Sequence, residues 1–72
     1  MKAIITQKSE LNLNLLQHFT FDILDDKGEV LLSDQTVQCS PSTAVEDIKS
    51  KVSAYEEEYE KSKSLEVGTE IE

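Results

Sequence analysis

Six large apolar residues, Leu11, Leu13, Leu15, Phe19, Phe21 and Ile23, all fall on odd positions, while Asn12, Asn14, His18, Thr20 and Asp22 fall on even ones. A period of two belongs to a strand with one buried face. Gln17 is the polar exception on the apolar side, and Leu16 and Leu24 are the apolar exceptions on the other. The run exceeds the usual five or six residues of a strand, so a bulge or bend is expected near Leu16-Gln17.

The flanking segments complete a sheet. Residues 2–7, with Ile4 and Ile5, read as a short strand, and Lys8-Ser9-Glu10 as a polar break. Asp25-Asp26-Lys27-Gly28 reads as a hairpin turn, because Asp tolerates turn geometry and Gly28 supplies a positive φ without steric cost. Residues 29–39 then return as the partner strand. With Gly28 in the bulge position, Ile23 is expected opposite Leu31, and Leu31, Val37 and Cys39 are expected to join the phenylalanine face.

Ser40-Pro41-Ser42 ends the sheet, and Thr43-Ala44-Val45-Glu46 has the pattern of a capping box. A helix is predicted over 43–64. Its apolar stripe, Val45, Ile48, Val52, Tyr55 and Tyr59, is spaced 3, 4, 3 and 4. Glu46 and Asp47 suit the positive helix start, and Lys61 and Lys63 the negative end. The chain therefore reads as one α+β domain over 1–64: a small antiparallel meander of about three strands, with one long C-terminal amphipathic helix packed on one face. Leu65-Glu66-Val67-Gly68-Thr69-Glu70-Ile71-Glu72 alternates apolar and polar, and is expected as an acidic tail or a short edge strand.

Composition narrows the function. At 72 residues, the core can supply roughly 3–5 kcal/mol, and chains of this size often gain stability from disulfides, metals or partners. Cys39 is the single cysteine, so no internal disulfide is expected. Cys39 and His18 are the only soft ligands, so neither a zinc site nor another cofactor is expected. Docking on a partner, or self-association, is the remaining route.

The net charge is −8, and every positive charge is Lys. Residues 1–42 hold 3 Lys against 6 acids, and residues 43–72 hold 4 Lys against 9, so acidity leans toward the C-terminal part. No basic stripe exists to neutralise phosphates or anionic lipid, so direct nucleic-acid and membrane binding are not expected. Met1–Gln7 lacks the apolar core of a secretory leader, and no apolar run approaches a membrane span. A soluble, cytoplasmic protein is expected, and one unpaired cysteine suits a reducing compartment.

Catalytic equipment is sparse, and a non-enzyme is expected. His18 lies on the polar side of a strand and Cys39 on the apolar side, where a thiol is buried and inert. The two glycines, Gly28 and Gly68, make no phosphate loop. Paired carboxylates occur at Asp25-Asp26 and Glu46-Asp47, without the spacing of a calcium loop or the cleft of a glycosidase.

The most distinctive segment is Tyr55-Glu56-Glu57-Glu58-Tyr59-Glu60-Lys61. A solvated helix face with a Glu57–Lys61 pair accounts for it most simply. Two sharper readings follow. The helix stripe is longer than a sheet of six-residue strands can cover, so Tyr55 and Tyr59 are expected to project as an aromatic anchor, and Glu56, Glu57, Glu58 and Glu60 join them as candidate partner-binding residues. Alternatively, the acidic helix imitates nucleic-acid phosphates and blocks the basic groove of a host-defence or nucleic-acid-binding protein.

The segment from Phe19 to Val30, Phe-Thr-Phe-Asp-Ile-Leu-Asp-Asp-Lys-Gly-Glu-Val, followed by Thr36-Val37-Gln38-Cys39-Ser40-Pro41, resembles the small uncharacterised proteins of bacteriophage and prophage gene clusters. An apolar strand, a D-x-G turn, a second strand and a capped helix recur there, and the likeness covers most of residues 11–60. It implies a virion, assembly or host-interaction role in the virion or host cytoplasm, and transfers no site residues.

Overall fold

The computed structural model describes residues 1–72. Three strands, β1 (Lys2–Lys8), β2 (Gln17–Leu24) and β3 (Val30–Cys39), precede one helix, α1 (Ala44–Ser62). They form an antiparallel meander in the order β1-β2-β3, with α1 packed against it. This is the expected α+β architecture.

The odd residues of β2 form the centre of the core. Phe19, Phe21 and Ile23 are buried, and Phe21 is only 1% exposed. Cys39 joins them from β3, and Ala44, Ile48 and Val52 close over them from α1. Only 8 of 72 residues are buried, and the molecule measures 51 × 28 × 16 Å. The thin dimension is that of one sheet plus one helix. The radius of gyration, 15.2 Å, exceeds the roughly 11 Å of a compact chain this long.

Leu11, Leu13 and Leu15 do not belong to a strand. They lie exposed in the β1–β2 connection, and Leu13 is 101% exposed. The expected bend at Leu16-Gln17 is instead the beginning of β2. An antiparallel pair needs a reversal between Lys8 and Gln17, and Asn12 builds it. Its side-chain oxygen accepts the amides of Asn14 at 2.9 Å and Leu16 at 3.0 Å, while its carbonyl accepts that of Leu15 at 3.0 Å. Those bonds offer the backbone an alternative to the sheet ladder. Leu15 is carried to φ 62°.

The second hairpin follows the sequence reading. Gly28 has φ 86°, its amide donates to the Asp25 carbonyl at 3.1 Å, and Asp25 Oδ1 accepts the amides of Lys27 and Glu29, each at 2.9 Å. Leu24 pairs with Val30, the register that the turn sets. The expected Ile23–Leu31 pair does not form, because Leu31 is an extra residue on β3 and Ile23 pairs with Leu32. A second slip leaves Ser33 and Asp34 between the Leu32 and Gln35 pairs. There Asp34 takes φ 57° and its amide donates to Asp22 Oδ1 at 3.0 Å. One slip alone would send every later side chain to the wrong face. Two restore the parity, so Val37 faces Phe19 and Cys39 faces Gln17, and both lie on the core side as expected.

The helix starts without the expected capping box. Thr43 makes no side-chain bond to a helix amide. Its hydroxyl is 3.2 Å from the Ser40 carbonyl and 3.1 Å from Asp47 Oδ2. The turn at 40–43 already engages the Thr43 amide with the Ser40 carbonyl at 3.0 Å, so the partner that Glu46 would reach back to is taken. Val45 also departs from the expected stripe. It is 63% exposed, and Ala44 is buried in its place. At 100° per residue, Val45 sits about 60° from the line of Ile48 toward β1. The sheet ends at β1, so nothing lies beneath it. Residues 65–72 form no strand, and Leu65, Val67 and Ile71 are exposed.

Candidate functional site

Tyr55 and Tyr59 stand one helical turn apart, and their rings stack with centroids 5.9 Å apart at an interplanar angle of 27°. They do not project freely as expected. Both are half-buried, because α1 runs back along the sheet and its last turns lie over the β2–β3 hairpin end. Tyr55 packs against the core and lines a hollow with Phe21, Ile23 and Leu32. Tyr59 lines a second hollow with Leu31, Asp25 and Asp26. Leu31 reaches the helix side, as the hairpin reading expected, although the bulge gives its place opposite Ile23 to Leu32.

The four glutamates do not share one face. Successive residues turn by 100°, so Glu56 and Glu60 lie on one side of Tyr59 and line its hollow, Glu58 lies on the other side, and Glu57 is nearly opposite. Each has a cationic neighbour. Lys61 Nζ is 3.8 Å from both Glu57 and Glu58, and Lys63 Nζ is 3.5 Å from Glu60. Lys63 also lies 5.0 Å above the Tyr59 ring. Glu56 is 3.3 Å from the Met1 amine, which lies 3.2 Å from Asp26. Hydrogen bonds to Asp26 and then Glu56 hold this amine above its ordinary value of 8.0. The lysine pairs are exposed and contribute about 0.2–0.5 kcal/mol each. They reduce the local charge: over residues 55–63, four Glu against two Lys leave −2.

His18 is exposed on the open face of the sheet, and Cys39 is buried on the helix face of the neighbouring strand. They cannot meet as a nucleophile and base, which need hydrogen-bond reach. Burial, and then the adjacent Asp47 carboxylate, pushes the Cys39 thiol above its ordinary 9.0. That is the wrong direction for a reactive thiolate at neutral pH. No group of three or more His, Cys, Asp and Glu side chains could hold a metal ion. No helix is long and apolar enough to cross a membrane.

A larger apolar feature lies elsewhere, and the sequence reading missed it. A groove of about 370 Å³ runs between β1 and α1, lined by Ala3, Ile5, Val45, Ile48 and Val52, with Lys2 and Lys49 beside them. Ile5 is 50% exposed. The available signals were a two-isoleucine strand at the sheet's margin and a helix stripe one residue wider than three strands can cover. No protein-family model matches this chain, and no curated protein or solved structure is similar to it.

Proposed function

We propose that this chain is a small non-enzymatic structural or interaction protein that works by docking on a partner protein or on itself. One observation carries this reading: eight residues are buried while ten large apolar side chains remain exposed. Scattered exposed apolar residues are ordinary, but grooves and patches of them on a thin domain mark binding surfaces. The half-buried tyrosine pair supports a docking role for the helix end. Tyr55 and Tyr59 present ring area with Glu56 and Glu60 beside Tyr59, the composition of an aromatic anchor with a polar margin. The phage-protein resemblance gives this a setting as a virion or assembly component.

The competing reading, phosphate mimicry, calls for an uncompensated acidic surface. The pairing of all four helix glutamates with cationic groups favours docking over it.

Analytical ultracentrifugation, together with affinity capture from the native lysate, tests the proposal. A self-associating chain or a specifically captured protein is expected. A strict monomer that captures nothing would overturn it. Reversing Glu56, Glu57, Glu58 and Glu60 to Lys should leave docking through the tyrosines largely in place. Competition with DNA or RNA for a basic protein, lost in that variant, would replace docking by mimicry.

A further inference from the structure

We infer that the outer edge of β1 and its groove receive residues 65–71 of a second copy as a fourth strand, in a reciprocal exchange that makes a dimer. The inference deepens the docking reading above and rests on it.

Four observations converge on this occupant. First, β1 is an edge strand whose outer side has no neighbour, so its unpaired amides and carbonyls form a template for another strand. Beside it, Ile5 and Val45 are apolar, exposed and adjacent to the groove. A strand added at this edge would extend the sheet beneath Val45, where the three-stranded sheet stops short.

Second, the tail has the required pattern. Leu65, Val67, Thr69 and Ile71 alternate with Glu66, Gly68 and Glu70, so an extended tail carries one apolar and one acidic face. Its seven residues, 65–71, equal the seven of β1. In the single chain this apolar face covers nothing, and Val67 is 108% exposed. Gly68 lies at φ 96° with open space where a Cβ would stand. Glycine adopts this turn conformation and an extended one with equal ease.

Third, charge selects the pairing. β1 carries Lys2 and Lys8 and no acid, in a chain of net charge −8. The tail carries Glu66, Glu70 and Glu72 and no base. Edge lysines oppose the pairing of two β1 strands with each other, while the acidic tail complements them.

Fourth, the chain's own tail is poorly placed for this edge. The Met1 amine at the start of β1 lies beside Glu56, and α1 continues six residues further to Ser62, about 9 Å. Lys63 and Ser64 span at most about 7 Å, so an own-chain return would consume at least the first tail residue and leave fewer than the seven that match β1. A twofold-related copy carries no such constraint, and reciprocal exchange closes the assembly.

The test uses the full chain and two variants, V67D/I71D in the donated tail and V45D at the receiving groove. All three positions are exposed, and circular dichroism verifies that each variant folds. Ultracentrifugation should find a wild-type dimer and a loss of affinity of 100-fold or more in each variant alone. Mixing the variants should restore a heterodimer, because one chain keeps an intact groove and the other an intact tail. Oxidation of an I5C/V67C chain should give a disulfide between two chains. A wild-type monomer that still captures a protein would overturn the exchange and keep the docking reading, whereas a monomer that captures nothing would overturn both. A dimer unaffected by both variants, or a disulfide formed within one chain, would overturn the exchange alone.

Discussion

Residues 11–15 and 19–23 carry the same alternation in sequence, interrupted only at Leu16-Gln17, and have opposite fates in the fold. Phe19, Phe21 and Ile23 form the core, while Leu11, Leu13 and Leu15 face water in a loop. Hydrophobicity does not separate the halves. The difference is what the backbone can bond to. From Phe19 onward, β2 has β1 on one side and β3 on the other. Before it, the chain must turn, and Asn12 supplies local partners for the turn. A period of two specifies a strand only where a neighbouring edge and a covering layer exist.

That contrast can be broken by substitution. Phe21→Ala should have the largest effect, a loss of about 3–5 kcal/mol. This is comparable with the whole stability of a domain of this size, so the far-ultraviolet signal of the fold should largely disappear without a stabilising partner. Asn12→Ala removes the acceptor of two loop amides and should cost about 1 kcal/mol in urea denaturation. A cost above 3 kcal/mol would mean that the loop supports the core directly.

Leu15→Gly sharpens the comparison by sign. Leu15 occupies a positive φ that glycine adopts freely, so the variant should be more stable by up to about 1 kcal/mol. Inside a strand the same change would destabilise by roughly that amount. Leu13→Ala should change stability by less than about 0.5 kcal/mol, as at an exposed position without partners. A core-sized cost there would return residues 11–15 to the sheet.

The smallest effect concerns pH, and it belongs to the folded half. Cys39 pairs with Gln17, and its thiol is raised by burial and by Asp47. The Met1 amine is raised by hydrogen bonds to Asp26 and Glu56. For both groups the folded state holds its proton to higher pH than the unfolded state. Their contributions are therefore fully present below pH 8 and decline as pH rises past 8.0 for the amine and 9.0 for the thiol. Thermal melting should be flat from pH 6 to 8 and fall slightly by pH 10. Cys39→Ala should remove the later part of the decline.

The candidate surfaces divide along the same line. Tyr55 and Tyr59 were legible from helical spacing, and their stacking follows from one turn of separation. Their half-burial was not legible, because helical spacing cannot say how far the β2–β3 hairpin end reaches beneath the last turns of α1. The groove beneath Val45 was also hidden: spacing places Val45 near the apolar stripe but cannot say where the sheet beneath it ends.

The sequence by itself determined the α+β class, the Asp25–Gly28 turn, the parity that puts Val37 and Cys39 on the core side, and the helix with Ile48 and Val52 inward. These follow from local rules, namely side-chain period, turn chemistry and the 100° step of a helix. The tertiary structure decided where the alternating run becomes a strand, how β3 slips twice and returns to phase, and why Thr43 needs no capping box. It also decided that Val45 overhangs an open edge while Tyr59 does not. Each of these depends on which backbone groups find a partner across the sheet, a long-range competition that no single segment can register.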